Sequence, residues 1–521
     1  MSITKSSTRA ALAIGQVIKR HQHIHKTGHD HNCKTKHTTV DVKSLHTCCH
    51  HFFPEQPSTT NEELAEYKFK KDSHHDYQPN VVENDYAYEI KANHFKFGPG
   101  VLKETGVDAA RILKEFGVNS KPRIAIYTDK VMRNLETFDI VYKSIKQYVR
   151  DAQILIYDDV AVEPTDVSYK TATQFVNEHG QVDLFISVGG GSVMDTVKAV
   201  NLYSMYPPED FLDYVNPPIG KGLPVPGPLK PHIAIPTTCG TGSEATGFAI
   251  FDLLSMKAKT GIAHHELRPT MAIIDPTTTL TMPANVVAAS GFDVLSHGLE
   301  SYTAQSYRRR KQNPYVLGKT GMRPQNQGSN PFADMGCLEA LRLTGQYIAR
   351  ATNDASDIEA RHQMMFASML AGAAMGSAGV HLPHGMSYSV SGNNKKFIMD
   401  GYPNDHVLIP HGVAVILNAP SVFKHTAYSN PERHLKCAQA LGADIRGATP
   451  QDAGEILHER LVQLMKDTHM PNGLNQVGFS DVDIPALVKG TLPQKRVVDN
   501  CAVQVDEQNL SDMFKGAMKY W

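Results

Sequence analysis

From Val182 an apolar run leads straight into Gly189-Gly190-Gly191, and a helical pattern opens at once behind it with Ser192, Val193 and Asp195. Glycines let a backbone turn tightly and let a ligand approach it closely. The free N–H groups and the dipole of a helix start favour an anion such as a phosphate. Ser192 and Asp195, three residues apart, suit the first turn of a helix. The spacing is not G-x-G-x-x-G, and a glycine turn alone serves equally well as a structural corner.

The surroundings favour the phosphate reading. Arg123–Thr128, Gln153–Tyr157, Val182–Val188, His232–Ile235 and Met271–Ile274 read as buried strands, while Ala109–Phe116, Asp166–Val176 and Val193–Leu202 have helical spacing. Such alternation predicts a mostly parallel sheet covered on both faces. A second loop, Ile235-Pro-Thr-Thr-Cys-Gly-Thr-Gly-Ser-Glu244, also follows a strand and carries hydroxyls at Thr237, Thr238, Thr241 and Ser243. Two loops of this kind at strand C-termini suit a dinucleotide lying across the sheet. Asp129, ending an earlier strand, could hydrogen-bond a ribose or simply cap a surface turn.

Beyond Pro276 the pattern becomes helical, over Val286–Tyr302, Asp334–Ala351, Asp357–Ala374, Pro431–Leu441 and Asp452–Thr468. Asp293 and His297, four apart, share one helical face. With the later His381, His384 and His411 they offer one carboxylate and several imidazoles, a donor set for Fe²⁺ or Zn²⁺. Between Glu300 and Asp334 no acidic residue occurs, while Arg308, Arg309, Arg310, Lys311, Lys319 and Arg323 do. A long cationic loop leaving the helix of Asp293 suits anionic substrates, with Arg323, Arg310 and Lys319 as candidate carboxylate ligands. A solvated or subunit-contact loop would have the same composition.

From about Tyr86 onward the chain resembles the iron-containing alcohol dehydrogenase family. The resemblance lies in G-G-G-S-x-x-D (Gly189 to Asp195), P-T-T-x-G-T-G-S-E (Pro236 to Glu244), A-x-x-G-x-D-x-L-x-H (Ala288 to His297), H-G-M from His384 and P-H-G through His411. It implies an α/β dinucleotide-binding domain followed by an all-α metal-binding domain, the architecture shared with dehydroquinate synthases. By that resemblance Asp293, His297, His384 and His411 hold a divalent metal, Fe²⁺ before Zn²⁺, and form the catalytic centre, with His381 outside the pattern. Gly189, Gly190, Gly191, Ser192 and Asp195 fall on the pyrophosphate loop of NAD, Thr237 and Thr238 near its nicotinamide, and Asp129 on its ribose. Two positions depart from the family: Tyr388 stands where many members carry a second histidine, and Glu163 where they carry an asparagine before Pro-Thr.

The stretches Val162–Asp166, Asp210–Tyr214, Pro218–Lys221, Gln327–Pro331 and Asp481–Gln494 resemble a transhydrogenase branch of that family. That branch oxidises 4-hydroxybutyrate to succinate semialdehyde and reduces 2-oxoglutarate to 2-hydroxyglutarate, with NAD retained between the two halves. Three other readings stay open on sequence: a dehydrogenase of the same family that releases NADH, a dehydroquinate-synthase-like lyase, and a non-catalytic metal-binding protein.

The non-catalytic reading rests on the N-terminus. Residues 1–28 hold five basic side chains and no acid, and Ile14, Val17 and Ile18 share a helical face, the pattern of a mitochondrial transit segment. A tract with nine histidines (His21 to His51) and Cys33, Cys48 and Cys49 follows, without a regular ligand spacing. The expected organisation is a leader over 1–51, a linker over 52–85, the NAD-binding domain over 86–275 and the helical catalytic domain over 276–521. With 52 basic and 53 acidic residues the chain has no charge excess for nucleic acid, and no apolar run is long enough to span a membrane. Seven scattered cysteines fit a reducing compartment, the mitochondrial matrix. The expected partners are small carboxylates and further copies of the chain, as a homo-oligomer. Deletion of residues 1–51 is expected to leave the purified enzyme's turnover intact and to abolish import into isolated mitochondria; lost turnover in a folded truncation would give the histidine tract a catalytic role.

Overall fold

The computed structural model describes residues 87–256, 258–309, 323–402 and 407–521. The leader, the linker, Arg310 and Lys319 lie outside them. Six strands form one parallel sheet: β1 (His94–Phe97), β2 (Arg123–Tyr127), β3 (Gln153–Tyr157), β4 (Leu184–Gly189), β5 (His232–Pro236) and β8 (Met271–Ile274). Their spatial order is β1-β8-β5-β4-β2-β3. The chain moves outward from β2 to β3, then returns to place β4 on the other side of β2. That reversal opens a crevice at the carboxyl ends of the strands, where ligands bind in sheets of this kind.

Helices cover both faces, which is why the inner strands read as continuous apolar runs. On one face Ile124, Ile126, Ile186, Val188, Ile233 and Ile235 pack with Ile112, Phe138, Val141 and Ile145 of the helices Thr105–Glu115 and Glu136–Tyr148. On the other, Ala125, Tyr127 and Phe185 pack with Ala172, Val176, Val193, Val197 and Val200 of Asp166–His179 and Gly191–Met205. The sequence reading passed over β1 and an antiparallel hairpin, β6 (Phe248–Leu253) with β7 (Ala258–Ala263).

After β8 a short turn leads into the helix Ala284–Thr303, which is buried on nearly every side from Val287 onward. The helices Pro331–Asn353 and Ile358–Ala378 pack beside it, and Ala272 and Ile274 of β8 share their core. Arg361 pins this junction. Fully buried, it donates to Ala351 O at 2.9 Å and to Thr279 O at 2.5 Å, satisfying carbonyls on both sides of the passage from sheet to helices. Among the described residues no single helix is long and apolar enough to cross a membrane.

Two buried histidines tie this packing to pH. Burial drives His232, beside Ser187 Oγ at 2.8 Å, down to about 3, and drives His434 down to about 4. An unfolded histidine titrates at about 6.5. Below that value the unfolded chain binds more protons than the folded one, so stability is complete above pH about 6.5 and falls on acidification toward pH about 4. The thermal midpoint is therefore expected to drop from pH 7 to pH 5, and less steeply in His434→Gln. A midpoint flat across that range would show that neither histidine governs stability.

Candidate functional site

The helix Ala284–Thr303 presents Asp293, His297 and Glu300 at intervals of four and three, one stripe on one face. The helix Leu382–Gly392 brings His384 against that stripe, and the helix His411–Ile416 brings His411. Close approach is possible because Gly412 has no side chain: a Cβ there would lie 1.9 Å from Ala289 O. The Nε2 atoms of His297, His384 and His411 lie 3.5, 3.4 and 3.7 Å from Asp293 Oδ1. Asp293, His297 and His384 place donor atoms within 4.8 Å of one another, all buried, while the His411 side chain is 25% exposed at the rim of the set.

Electrostatics mark the cluster as a cation site. Among the described residues, Asp293 Oδ1 and His384 Nε2 are buried without a hydrogen-bond partner. Glu300, fully buried, accepts from His384 Nδ1 at 2.6 Å and from the His381 amide at 2.7 Å, which fixes the tautomer that turns Nε2 toward Asp293. Burial opposes charge on His384, yet Glu300 and Asp293 on either side raise it to about 10. Burial lowers His297 to about 4, so it stands as a neutral ligand. Burial also works against the Asp293 carboxylate, but the imidazoles of His297, His411 and His384 hold it well below its ordinary value. One carboxylate, three imidazoles and orphaned donors fit a divalent transition metal. His381 plays a structural part instead, for its Nδ1 accepts the Leu382 amide and its Nε2 meets Thr303 Oγ1 at 2.9 Å.

This cluster stands where two cavities meet. One, about 1260 Å³ and open to solvent, runs along the strand ends past Asp129, Gly190, Gly191, Ser192, Thr237 and Thr238 to Asp293 and His411. The helix Gly191–Met205 starts on it with no side chain capping its first amides among the described residues. Asp129 caps its turn: Oδ1 accepts the Val131 and Met132 amides at 2.9 and 2.8 Å, and the residue also borders the cavity. The second cavity, about 820 Å³, is walled by Phe248 and Ile250 of the hairpin, Met375, Val380, Tyr388 and Arg496.

Several sequence-selected residues stand elsewhere. Gly189 does not line the dinucleotide-sized cavity; a Cβ there would strike Val193 Cγ2 at 2.4 Å, so it serves strand–helix packing. Asp195 is no helix cap and does not line that cavity either. Its carboxylate accepts from Ser243 Oγ at 2.5 Å and Ile250 N at 3.0 Å and pairs with buried Lys198 at 3.2 Å, fastening the hairpin to the helix Gly191–Met205. Arg323 is not on either cavity wall; its carbonyl meets His265 Nε2 at 3.1 Å.

The sequence reading missed Glu300, although its place three residues after His297 was a usable signal. It registered Glu163 only as a departure. Glu163 borders both cavities at φ 54°, a left-handed conformation that asparagine tolerates better than glutamate. Its amide donates to Ser192 Oγ at 3.1 Å, and Lys259 Nζ lies 2.5 Å from its carboxylate.

The iron-containing alcohol dehydrogenase description matches residues 92–276, and the family's C-terminal description matches residues 325–518. The chain belongs to the iron-containing alcohol dehydrogenase family. Within the family it is 47% identical to the rat protein named "Hydroxyacid-oxoacid transhydrogenase, mitochondrial", over 85% of this chain and 92% of that one. The human protein of the same name is 46% identical over the same shares. A solved 1,3-propanediol oxidoreductase is similar in fold, with TM-score 0.70 and 24% identity over 83% of this chain and all of that one. The protein is an oxidoreductase acting on CH–OH groups.

The tautomer argument gives a direct test. Glu300→Gln is expected to weaken metal binding about 10- to 100-fold, since the partner orienting His384 is neutralised. His297→Ala is expected to lose both metal and turnover. Metal content and affinity, measured on folded protein by elemental analysis and chelator competition, decide both; unchanged stoichiometry in His297→Ala would displace the site.

Proposed function

We propose that this protein is a hydroxyacid–oxoacid transhydrogenase of the mitochondrial matrix. It oxidises 4-hydroxybutyrate to succinate semialdehyde and reduces 2-oxoglutarate to 2-hydroxyglutarate, with one NAD kept through both halves. The observation that carries this reading is the 47% identity with the rat transhydrogenase across nearly its whole length. The abutting cavities support it, because two substrates that alternate at one cofactor need a single reaction centre beside a single dinucleotide cleft.

Asp293, His297, His384 and His411 would hold the metal, with Fe²⁺ preferred, and Glu300 holds the His384 ring in its ligating tautomer. Gly190, Gly191 and the uncapped amides behind them would receive the pyrophosphate, and Thr237 and Thr238 border the same cleft toward Asp293. Phe248, Ile250, Met375 and Val380 line the reaction cavity with apolar surface and keep bulk water off the transferring hydrogen. Bound there, the metal supplies a Lewis acid for the substrate oxygen and NAD a carrier for the hydride.

Purified protein given 4-hydroxybutyrate and 2-oxoglutarate together, with no NAD added, is expected to form succinate semialdehyde and 2-hydroxyglutarate in equal amounts. Oxidation of 4-hydroxybutyrate that proceeds only with added NAD, and releases NADH, would overturn the transhydrogenase reading in favour of an ordinary dehydrogenase of the same family.

A further inference from the structure

Among the described residues, two lysine or arginine side chains line the reaction cavity, Lys259 and Arg496. Lys259 is already neutralised: it is buried, 2.5 Å from Glu163 Oε2 and 3.2 Å from Asp252 Oδ1. Two of the cavity's carboxylates are committed as well, Glu163 to Lys259 and Asp195 to Ser243 and the Ile250 amide, while Asp293 faces the imidazoles at the other end, 3.4 Å from His384 Nε2. Arg496 makes no ion pair among the described residues. Its guanidinium carbon stands 5.6 Å from the centre of the Phe248 ring, a cavity-wall residue, and its own carbonyl accepts from Asn326 Nδ2 at 3.5 Å. Among the described residues, then, the cavity holds one uncommitted guanidinium.

A hydroxyl stands on the same wall. Tyr388 and Arg496 both line the reaction cavity and both line the smaller pocket behind it, so they share the partition between the two. Tyr388 is 6% exposed, and among the described residues its phenol has no hydrogen-bond partner. It follows His384 by four positions on the helix Leu382–Gly392, which puts it on the same face one turn further from the metal ligands. The short helix Lys495–Val498 is seated directly on that helix, because a Cβ at Gly385 would already meet Val497 Cγ2 at 3.2 Å and Val498 Cγ2 at 3.5 Å.

We propose that Arg496, together with the Tyr388 hydroxyl, binds the far carboxylate of the acid substrates and sets the enzyme's choice of chain length. The proposal rests on the transhydrogenase reading for the identity of those substrates. Their chemistry explains why one subsite suffices. In 4-hydroxybutyrate two methylenes separate the reacting carbon from the carboxylate, and in 2-oxoglutarate two methylenes separate the reacting carbon from the distal carboxylate. Succinate semialdehyde and 2-hydroxyglutarate keep the same arm. With the reacting carbon at the metal cluster, one anchor on the wall shared by Tyr388 and Arg496 serves donor and acceptor alike. The arm's methylenes then lie along Phe248, Met375 and Val380, and the guanidinium and phenol donate to the carboxylate.

The test uses full-length metal-loaded enzyme and a two-by-two choice of substrates: 4-hydroxybutyrate or 1-butanol as donor, 2-oxoglutarate or butanal as acceptor. Arg496→Gln is expected to raise KM for both acids about 10- to 100-fold, the loss typical of a charge-assisted hydrogen bond. KM for the uncharged pair should shift by no more than about 3-fold, and the inhibition constant of unreactive glutarate should rise in parallel with the acids. Arg496→Lys should recover part of the loss, and Tyr388→Phe should show a smaller loss of the same selectivity. Wild type should prefer 4-hydroxybutyrate over 3-hydroxypropionate and 5-hydroxypentanoate. Equal losses for charged and uncharged substrates, or unchanged glutarate affinity in a folded Arg496→Gln protein, would overturn the proposal. If wild type fails to couple the two acids without NAD, the functional reading falls instead; glutarate calorimetry on wild type and Arg496→Gln then still decides whether the subsite exists.

Discussion

Asp293 Oδ1 and His384 Nε2 are buried polar atoms that no group among the described residues satisfies, and the helical half of the molecule is arranged around that deficit. Each unsatisfied buried group costs roughly 1–3 kcal/mol, more when it is charged. Nothing in local folding would hold Asp293, Glu300 and three imidazoles together in one largely buried cluster. What holds them is the packing of Ala284–Thr303, which lies inside the helical core that the end of the sheet also joins, so its polar stripe has no route to solvent except through the cavities. A bound cation turns the deficit into attraction, and metal binding and tertiary stability become one quantity.

The cavity along the strand ends meets this stripe because of close approaches that only glycine permits. Gly412 seats His411 over Ala289, and Gly242 and Gly372 would clash at 2.4 to 2.6 Å if either carried a side chain. The second contact presses the loop after β5 onto the helix Ile358–Ala378. The carboxyl edge of the sheet is thereby fixed against the helix bundle around Asp293, and the larger cavity is lined by both the strand ends and Asp293 and His411. Two stretches that are separate in sequence come to border one cavity by the contact of two backbones.

The parts of this arrangement that could be read in the sequence are those encoded locally. Strands buried on both faces leave continuous apolar runs, and β2, β4 and β5 are of this kind. The hairpin was hidden because it carries Asp252, Lys259 and Gly261, charges and a glycine that make sense only once Glu163 and the helix of Asp195 stand beside them. At four residues, β1 is too short to declare a period. The residues of the candidate metal cluster were legible as types and family spacing, whereas the role of Glu300 emerges from its contact with His384, 84 positions away. Asp195 misled for the opposite reason: a residue well placed for a helix start turned out to hold a neighbouring strand.

Charge placement follows the same logic and separates the two ends of the reaction cavity. At the metal end, negative charge from Asp293 and Glu300 is surrounded by imidazoles and suits a cation. Lys259 sits between Glu163 and Asp252 beside it, so its positive charge is fully compensated on the wall next to the larger cavity. Among the described residues the distal wall keeps an unpaired cation, Arg496, delivered by a helix more than a hundred residues from His384 in sequence. A cationic loop near the metal helix was the obvious place to seek the carboxylate anchor by composition, yet Arg323 stands off the cavity walls with its carbonyl engaged by His265. Composition shows only that positive groups are present; that Arg496 reaches this wall depends on the glycine at position 385, which lets Lys495–Val498 settle on the helix of Tyr388.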